Sequence, residues 1–183
     1  MSSKFVNLNQ VMSSFPQLNS LSIDYTLKNA YLNHFYSNDC EEIHSSLRKL
    51  DIKFTGGEAE NYHNPMNLLQ FLQSLPNLEI FEATADLKLT KGLFKVILKK
   101  IPRLTSFSFS HTSIARKSSL EINSDFIDFI TRQNRLETFR LDDFFRDFTY
   151  EIKDACTVFK QHFEVVSCNQ NFIYLQRHAE NDV

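Results

Sequence analysis

The chain has 183 residues, 42% of them hydrophobic and 23% charged, with a net charge of −2 and a pI of about 6.3. That length can bury a sizeable core in one domain, and the apolar content excludes a disordered chain. The near-neutral balance excludes a global basic field that would draw the whole molecule to nucleic acid or an anionic membrane. Phenylalanine occurs 18 times and tryptophan not at all, so phenylalanine replaces leucine in much of the core. Cys40, Cys156 and Cys168 are odd in number and far apart, which points to a reducing compartment, cytoplasmic or nuclear, rather than a disulfide framework. The absence of an N-x-S/T sequon agrees with that address. No apolar run reaches the length of a membrane span, and the opening Met-Ser-Ser-Lys-Phe-Val is not expected to act as a signal peptide.

In chain order, Phe5, Leu8, Val11, Met12 and Phe15 predict a short amphipathic helix that runs into Pro16. Leu18-Asn-Ser-Leu21-Ser-Ile23 follows, apolar at its first, fourth and sixth places, as a strand with one buried face is. Leu27, Ala30, Tyr31 and Phe35 line one side of the next helix. Leu47-Arg-Lys-Leu50-Asp-Ile52 is a second strand, and Gly56 to His63 is the most loop-like segment. Asn64 as N-cap and Pro65 at the first helical position open a helix with Leu68, Leu69, Phe71, Leu72 and Leu75. Leu78-Glu-Ile-Phe81-Glu-Ala83 is the third strand. Thr90 then caps a helix whose buried stripe is Leu93, Phe94, Ile97, Leu98 and Ile101. After Leu104-Thr-Ser-Phe107-Ser-Phe109 and a polar loop at 113–121, Ser124 is expected to cap a short helix with Phe126, Ile127 and Ile130 inward. Leu136-Glu-Thr-Phe139-Arg-Leu141 is the fifth strand, and a last helix spans roughly Thr149 to Gln161. Phe163-Glu-Val-Val166-Ser-Cys168 is a variant strand phrase. With Phe172 to Arg177 it predicts a hairpin over 163–177 that caps the sheet edge.

The strand phrases begin at 18, 47, 78, 104 and 136, in steps of 29, 31, 26 and 32 residues, with the variant 27 further on. Recurrence at 20–50 residues marks a solenoid, and L-x-x-L-x-L is the leucine-rich-repeat pattern. The chain resembles leucine-rich-repeat proteins of the long-repeat kind, such as ribonuclease-inhibitor-like proteins and the F-box/leucine-rich-repeat substrate receptors. The likeness runs from about Phe5 to Asn171. The position three places after the sixth residue holds Thr26, Thr55, Asp86, Thr112, Phe144 and Asn171, mostly hydroxyl or carboxylate rather than the usual Asn or Cys. The resemblance implies one α/β domain over residues 1–183, a right-handed solenoid of about five to six repeats. Parallel strands form its concave face and helices its convex face. The implied role is non-catalytic protein binding, as a ubiquitin-ligase substrate-recognition part or a scaffold. An F-box would be expected upstream of Phe5, where the sequence leaves no room for one.

Strand alternation puts the residues between the core positions on the concave face, the usual contact surface of such a sheet. The candidate partner-binding residues there are Lys49, Asp51, Lys53, Glu82, Thr84, Ser106, Ser108, Thr138, Arg140 and Asp142. They form a polar surface of both signs without large aromatic anchors. Lys91, Lys95 and Lys99 make a second, basic surface on the outer side of a helix, with Lys100, Arg103 and Arg116-Lys117 nearby. A nucleic-acid-associated adaptor is the alternative function that this surface suggests, against a plain solvated helix face. His34, Cys40 and His44 lack a fourth ligand at zinc spacing, and Gly56-Gly57 lacks the lysine of a phosphate loop. Asp142-Asp143, Asp147 and Glu151 fit a helix start, and Cys156 and Cys168 fall on apolar faces. We therefore expect no enzyme activity, no cofactor, no metal, no small-molecule substrate and no membrane attachment.

Overall fold

The computed structural model describes residues 12–26, 43–55, 71–85, 91–111, 123–142, 152–169 and 172–177. The strands are β1 (Ser20–Thr26), β2 (Lys49–Thr55), β3 (Ile80–Ala85), β4 (Ser106–His111), β5 (Thr138–Asp142), β6 (Val165–Asn169) and β7 (Phe172–Gln176). They form one sheet in the order β1-β2-β3-β4-β5-β7-β6. The helices are α1 (Lys91–Lys100), α2 (Ser124–Thr131) and α3 (Ile152–Phe159), and residues 12–14 and 71–73 are also helical. No helix among the described residues is long and apolar enough to cross a membrane. The expected helix over Leu27 to Tyr36, the Asn64 and Thr90 caps and the loops at 56–63 and 113–121 lie outside the described residues.

The recurring phrase dictates the architecture. β1 to β5 pair in parallel, and each phrase place stands opposite the same place in the next strand. The fourth places make one row, Leu21, Leu50, Phe81, Phe107 and Phe139, and the sixth places another, Ile23, Ile52, Ala83, Phe109 and Leu141. Four of the five phrases are entered through the same hydrogen-bonded turn. The amide of the first leucine donates three residues back, Leu18 to Phe15 (3.0 Å), Leu78 to Leu75 (3.2 Å), Leu104 to Ile101 (3.2 Å) and Leu136 to Gln133 (3.0 Å). Pro16, Pro76 and Pro102 fill the second place of three of these turns, where their fixed φ suits the geometry. The carbonyl of the phrase's second residue then accepts two amides of the next phrase. Arg48 and Lys49 bond Asn19, Glu79 and Ile80 bond Arg48, Thr105 and Ser106 bond Glu79, and Glu137 and Thr138 bond Thr105.

The helices cover the face of the sheet that carries the apolar rows. Phe94 of α1 is fully buried, its ring 5.0 Å from Phe107, 5.5 Å from Phe139 and 5.6 Å from Phe126 of α2. Phe107 stacks on Phe139 at 5.8 Å and lies 5.7 Å from Phe81. Edge and offset contacts of this kind add to the area term for each buried ring. The cap of α2 corrects the sequence expectation. Asn123, not Ser124, is the N-cap, its Oδ1 accepting from the Phe126 amide at 3.1 Å. Asn123 has the extended backbone an N-cap needs, which leaves Ser124 as the first helical residue.

The sixth phrase does not extend the parallel ladder. β7 lies between β5 and β6 and runs antiparallel to both. β6 ends at Asn169 and β7 begins at Phe172, and these two residues stand opposite each other. β7 also brings the more apolar inner face, with Ile173 and Leu175 fully buried where Val166 and Cys168 are half-buried. The better-buried strand takes the interior place, and β6 becomes the edge. The rows nevertheless continue, since Leu175 stands opposite both Phe139 and Val166.

Arg177, just past β7, fastens this hairpin to the rest. Its amide bonds the Glu137 carbonyl at 2.8 Å. Its guanidinium donates to the carbonyls of Thr131 (2.9 Å), Leu136 (3.0 Å), His162 (3.1 Å) and Gln133 (3.3 Å), and lies 4.4 Å from the Phe163 ring centre. Burial lowers the Arg177 pKa from its ordinary value. The carbonyls at the end of α2 carry the partial negative charge that offsets this cost.

Candidate functional site

All ten candidate residues stand on the face of the sheet away from the helices, in three cross-strand rows. The first runs Ser20, Lys49, Ile80, Ser106, Thr138, Gln176 and Val165. The middle row is Ser22, Asp51, Glu82, Ser108, Arg140, Tyr174 and Ser167, and the third is Asp24, Lys53, Thr84, Ser110, Asp142, Phe172 and Asn169. Parallel in-register pairing brings Lys49, Asp51, Lys53, Glu82 and Thr84 together on β2 and β3. Ser106, Ser108, Thr138, Arg140 and Asp142 form the neighbouring group on β4 and β5.

The charges on this face neutralise one another. Lys49 Nζ lies 3.2 Å from Glu82 Oε1, and Lys53 Nζ 3.3 Å from Asp24 Oδ2. Ser22 Oγ donates to Asp51 Oδ2 at 3.0 Å. These side chains are substantially exposed, so each pair contributes about 0–1 kcal/mol to stability. The pairs set the shape of the surface more than its energy, and they leave little net charge to attract a partner.

The far end of the face differs, and here the expectation that aromatic anchors are missing is corrected. Phe172 and Tyr174 sit half-buried on the open side of β7, rings stacked at 6.5 Å and 17°. The antiparallel register sets Tyr174 opposite Arg140 and Phe172 opposite Asp142. Arg140 Nε donates to both Asp142 oxygens, at 3.1 and 2.9 Å, while its guanidinium carbon stands 5.5 Å from the Phe172 ring centre. Asp142 also accepts from Ser110 Oγ at 2.7 Å. The carboxylate thus pins the guanidinium against the ring, and a cation over an aromatic face is worth about 0.5–1 kcal/mol at an exposed site. Val165 on β6 adds an apolar surface that is 41% exposed. The sequence carried the signal in the alternation of Phe172, Tyr174 and Gln176 with Ile173 and Leu175. Without the strand order it could not be assigned to this face.

Of the basic surface, Lys95, Lys99 and Lys100 are exposed on α1 and Arg103 in the turn after it. Lys95 Nζ lies 5.4 Å from the Phe129 ring centre, so the stripe does meet an aromatic. The Lys91 side chain, Arg116 and Lys117 lie outside what is described, as do His34, Cys40, Gly56-Gly57, Asp143, Asp147 and Glu151. The His44 amide bonds the Ser74 carbonyl at 2.9 Å, and the residue is buried. Cys156 of α3 and Cys168 of β6 are half-buried neighbours rather than fully buried hydrophobes, with Cys156 Sγ 4.0 Å from the Cys168 carbonyl. No family model matches this chain, and no curated protein or solved structure matches it.

Proposed function

We propose that the chain is a non-catalytic protein-interaction module, a right-handed leucine-rich-repeat solenoid that holds a protein partner on its open, concave sheet face. Five in-register phrases, four of them entered by the same hydrogen-bonded turn and each joined to the next through the same carbonyl, support the repeat architecture. One observation carries the binding reading. On a face whose charges are already paired, Arg140, Phe172 and Tyr174 form a single half-exposed cluster of the residue types that dominate interface energetics. Arg140 is held in place before any partner arrives, which removes part of the ordering cost of binding. The partner lies across β4, β5 and β7, its apolar group against Tyr174 and Phe172 and its acceptors toward Arg140 and the serine hydroxyls of β4. Among proteins of this architecture, ubiquitin-ligase substrate receptors and scaffolds are the roles that the resemblance suggests.

The test compares capture of proteins from cell extract by the natural chain and two variants of equal fold. Tyr174→Ala with Arg140→Ala should lose the specific partner. Lys49→Glu with Lys53→Glu should retain it, because those lysines only serve ion pairs within the face. Loss of capture in the lysine variant alone would move the site to β2 and β3.

A further inference from the structure

A second surface stands apart from the sheet face, at the seam between α1 and α2. The contact of Lys95 with Phe129 marks where the two helices meet. One helical turn further along, Lys99 follows Lys95 and Arg132 follows Phe129 on the same sides. Past the helix ends, a hollow of about 120 Å³ opens between the turn at 101–104 and the turn at 133–136. Leu98, Ile101, Pro102, Leu104 and Leu136 form one part of its lining and Gln133, Asn134 and Arg135 the other, so the wall is mixed, apolar beside polar. Arg135 crosses its rim, donating from Nη1 to the Pro102 carbonyl at 2.8 Å.

The cations here differ from those on the sheet. Lys49, Lys53 and Arg140 each meet a carboxylate, whereas Lys99, Lys100, Arg103 and Arg132 meet none among the described residues. Lys99 and Lys100 offset the dipole of α1 from its last turn. That account does not extend to Arg103 and Arg135, which lie in turns. Asp125 and Asp128 of α2 and Glu137 are the carboxylates of this region, fewer than the cations. A nucleic acid would want an exposed aromatic platform for its bases. The ring available, Phe129, is half-buried and already covered by Lys95. In volume alone, about 120 Å³ against the roughly 150 Å³ of a cavity that takes a benzene ring, this hollow has room for one branched aliphatic side chain.

We propose that the α1–α2 seam binds an acidic protein segment that places a leucine-sized side chain in the hollow and its carboxylates against Lys99, Arg103 and Arg132. The aliphatic group supplies apolar contact and the cations supply steering and orientation, a division common in charged interfaces.

The experiment uses the full chain and three fluorescein-labelled probes followed by anisotropy. These are a short Glu/Asp peptide with one central leucine, the same peptide with serine in its place, and a single-stranded oligouridylate. The leucine peptide should bind saturably and the serine peptide about tenfold more weakly, the scale set by burying one aliphatic side chain. Lys99→Glu with Arg132→Glu should weaken the leucine peptide by about tenfold or more at an unchanged urea midpoint. Tyr174→Ala should leave it unaltered, which separates this surface from the sheet face. Equal binding of the two peptides, absence of saturable peptide binding, or tighter oligouridylate binding lost in the same double variant would each overturn the proposal.

Discussion

Cys168 shows how much a single position depends on what the strand order places beside it. Burial, and after it the neighbouring Cys156 thiol, pushes its pKa from the ordinary 9.0 up to about 12. The folded protein therefore keeps a proton that the unfolded chain releases in alkali. Stability from this source is fully present below pH 9.0 and is lost as pH rises toward about 12. Urea midpoints taken across that alkaline range should fall less steeply in Cys168→Ala than in the natural sequence, whereas parallel slopes would show that the thiol ionises freely. Nothing in the spacing of Cys156 and Cys168 announces this neighbourhood, because the contact depends on α3 packing against an edge strand. Phe172 and Tyr174 escaped the sequence for the same reason. Their alternation is plain, but the face they occupy follows from which strand they pair with.

At the level of elements, the sequence was legible wherever burial alternates along a phrase. The five parallel strands, their common register and the inward faces of α1 and α2 all follow from that pattern. The cap of α2 did not, because Asn123 and Ser124 are both good N-cap residues and only backbone geometry chooses between them. The energetic centre of these elements is the ring cluster around Phe94. Phe107 contacts Phe81, Phe94 and Phe139 at once and has no exposed surface. Phe107→Ala should therefore cost about 3–5 kcal/mol in equilibrium urea unfolding, since neighbouring rings from a sheet and a helix cannot all collapse into the gap. A loss under about 1 kcal/mol would mean that the core repacks around the missing ring.

For the molecule as a whole, the join between the parallel strands and the β6–β7 hairpin rests heavily on one side chain. Arg177 reaches carbonyls on three separate segments: the end of α2, the turn before β5 and the turn after α3. Arg177→Met keeps the apolar stem and removes the donors, and should lower stability by about 3 kcal/mol, the scale of charged hydrogen bonds lost to buried acceptors. Arg177→Lys should recover little of it, because an ammonium cannot span carbonyls set so far apart. Amide exchange in β6 and β7 that stayed as slow as in the natural chain would show that the strand pairing alone holds the hairpin.

The carbonyl ladder between successive phrases has a consequence for how this chain tolerates change. Steps between phrases vary from 26 to 32 residues, yet every parallel strand meets its neighbour with no slip of register. Pairing is decided inside the six-residue phrase and its entry turn, so the length of chain between phrases has little say in it. A few residues gained or lost between one phrase and the next, outside α1 and α2, should therefore leave the sheet in step, whereas losing either helix would strip the cover from its apolar rows. A single residue gained or lost inside a phrase exchanges its core and solvent faces. Register thus belongs to the phrases, and the residues between them answer for the core that covers the sheet.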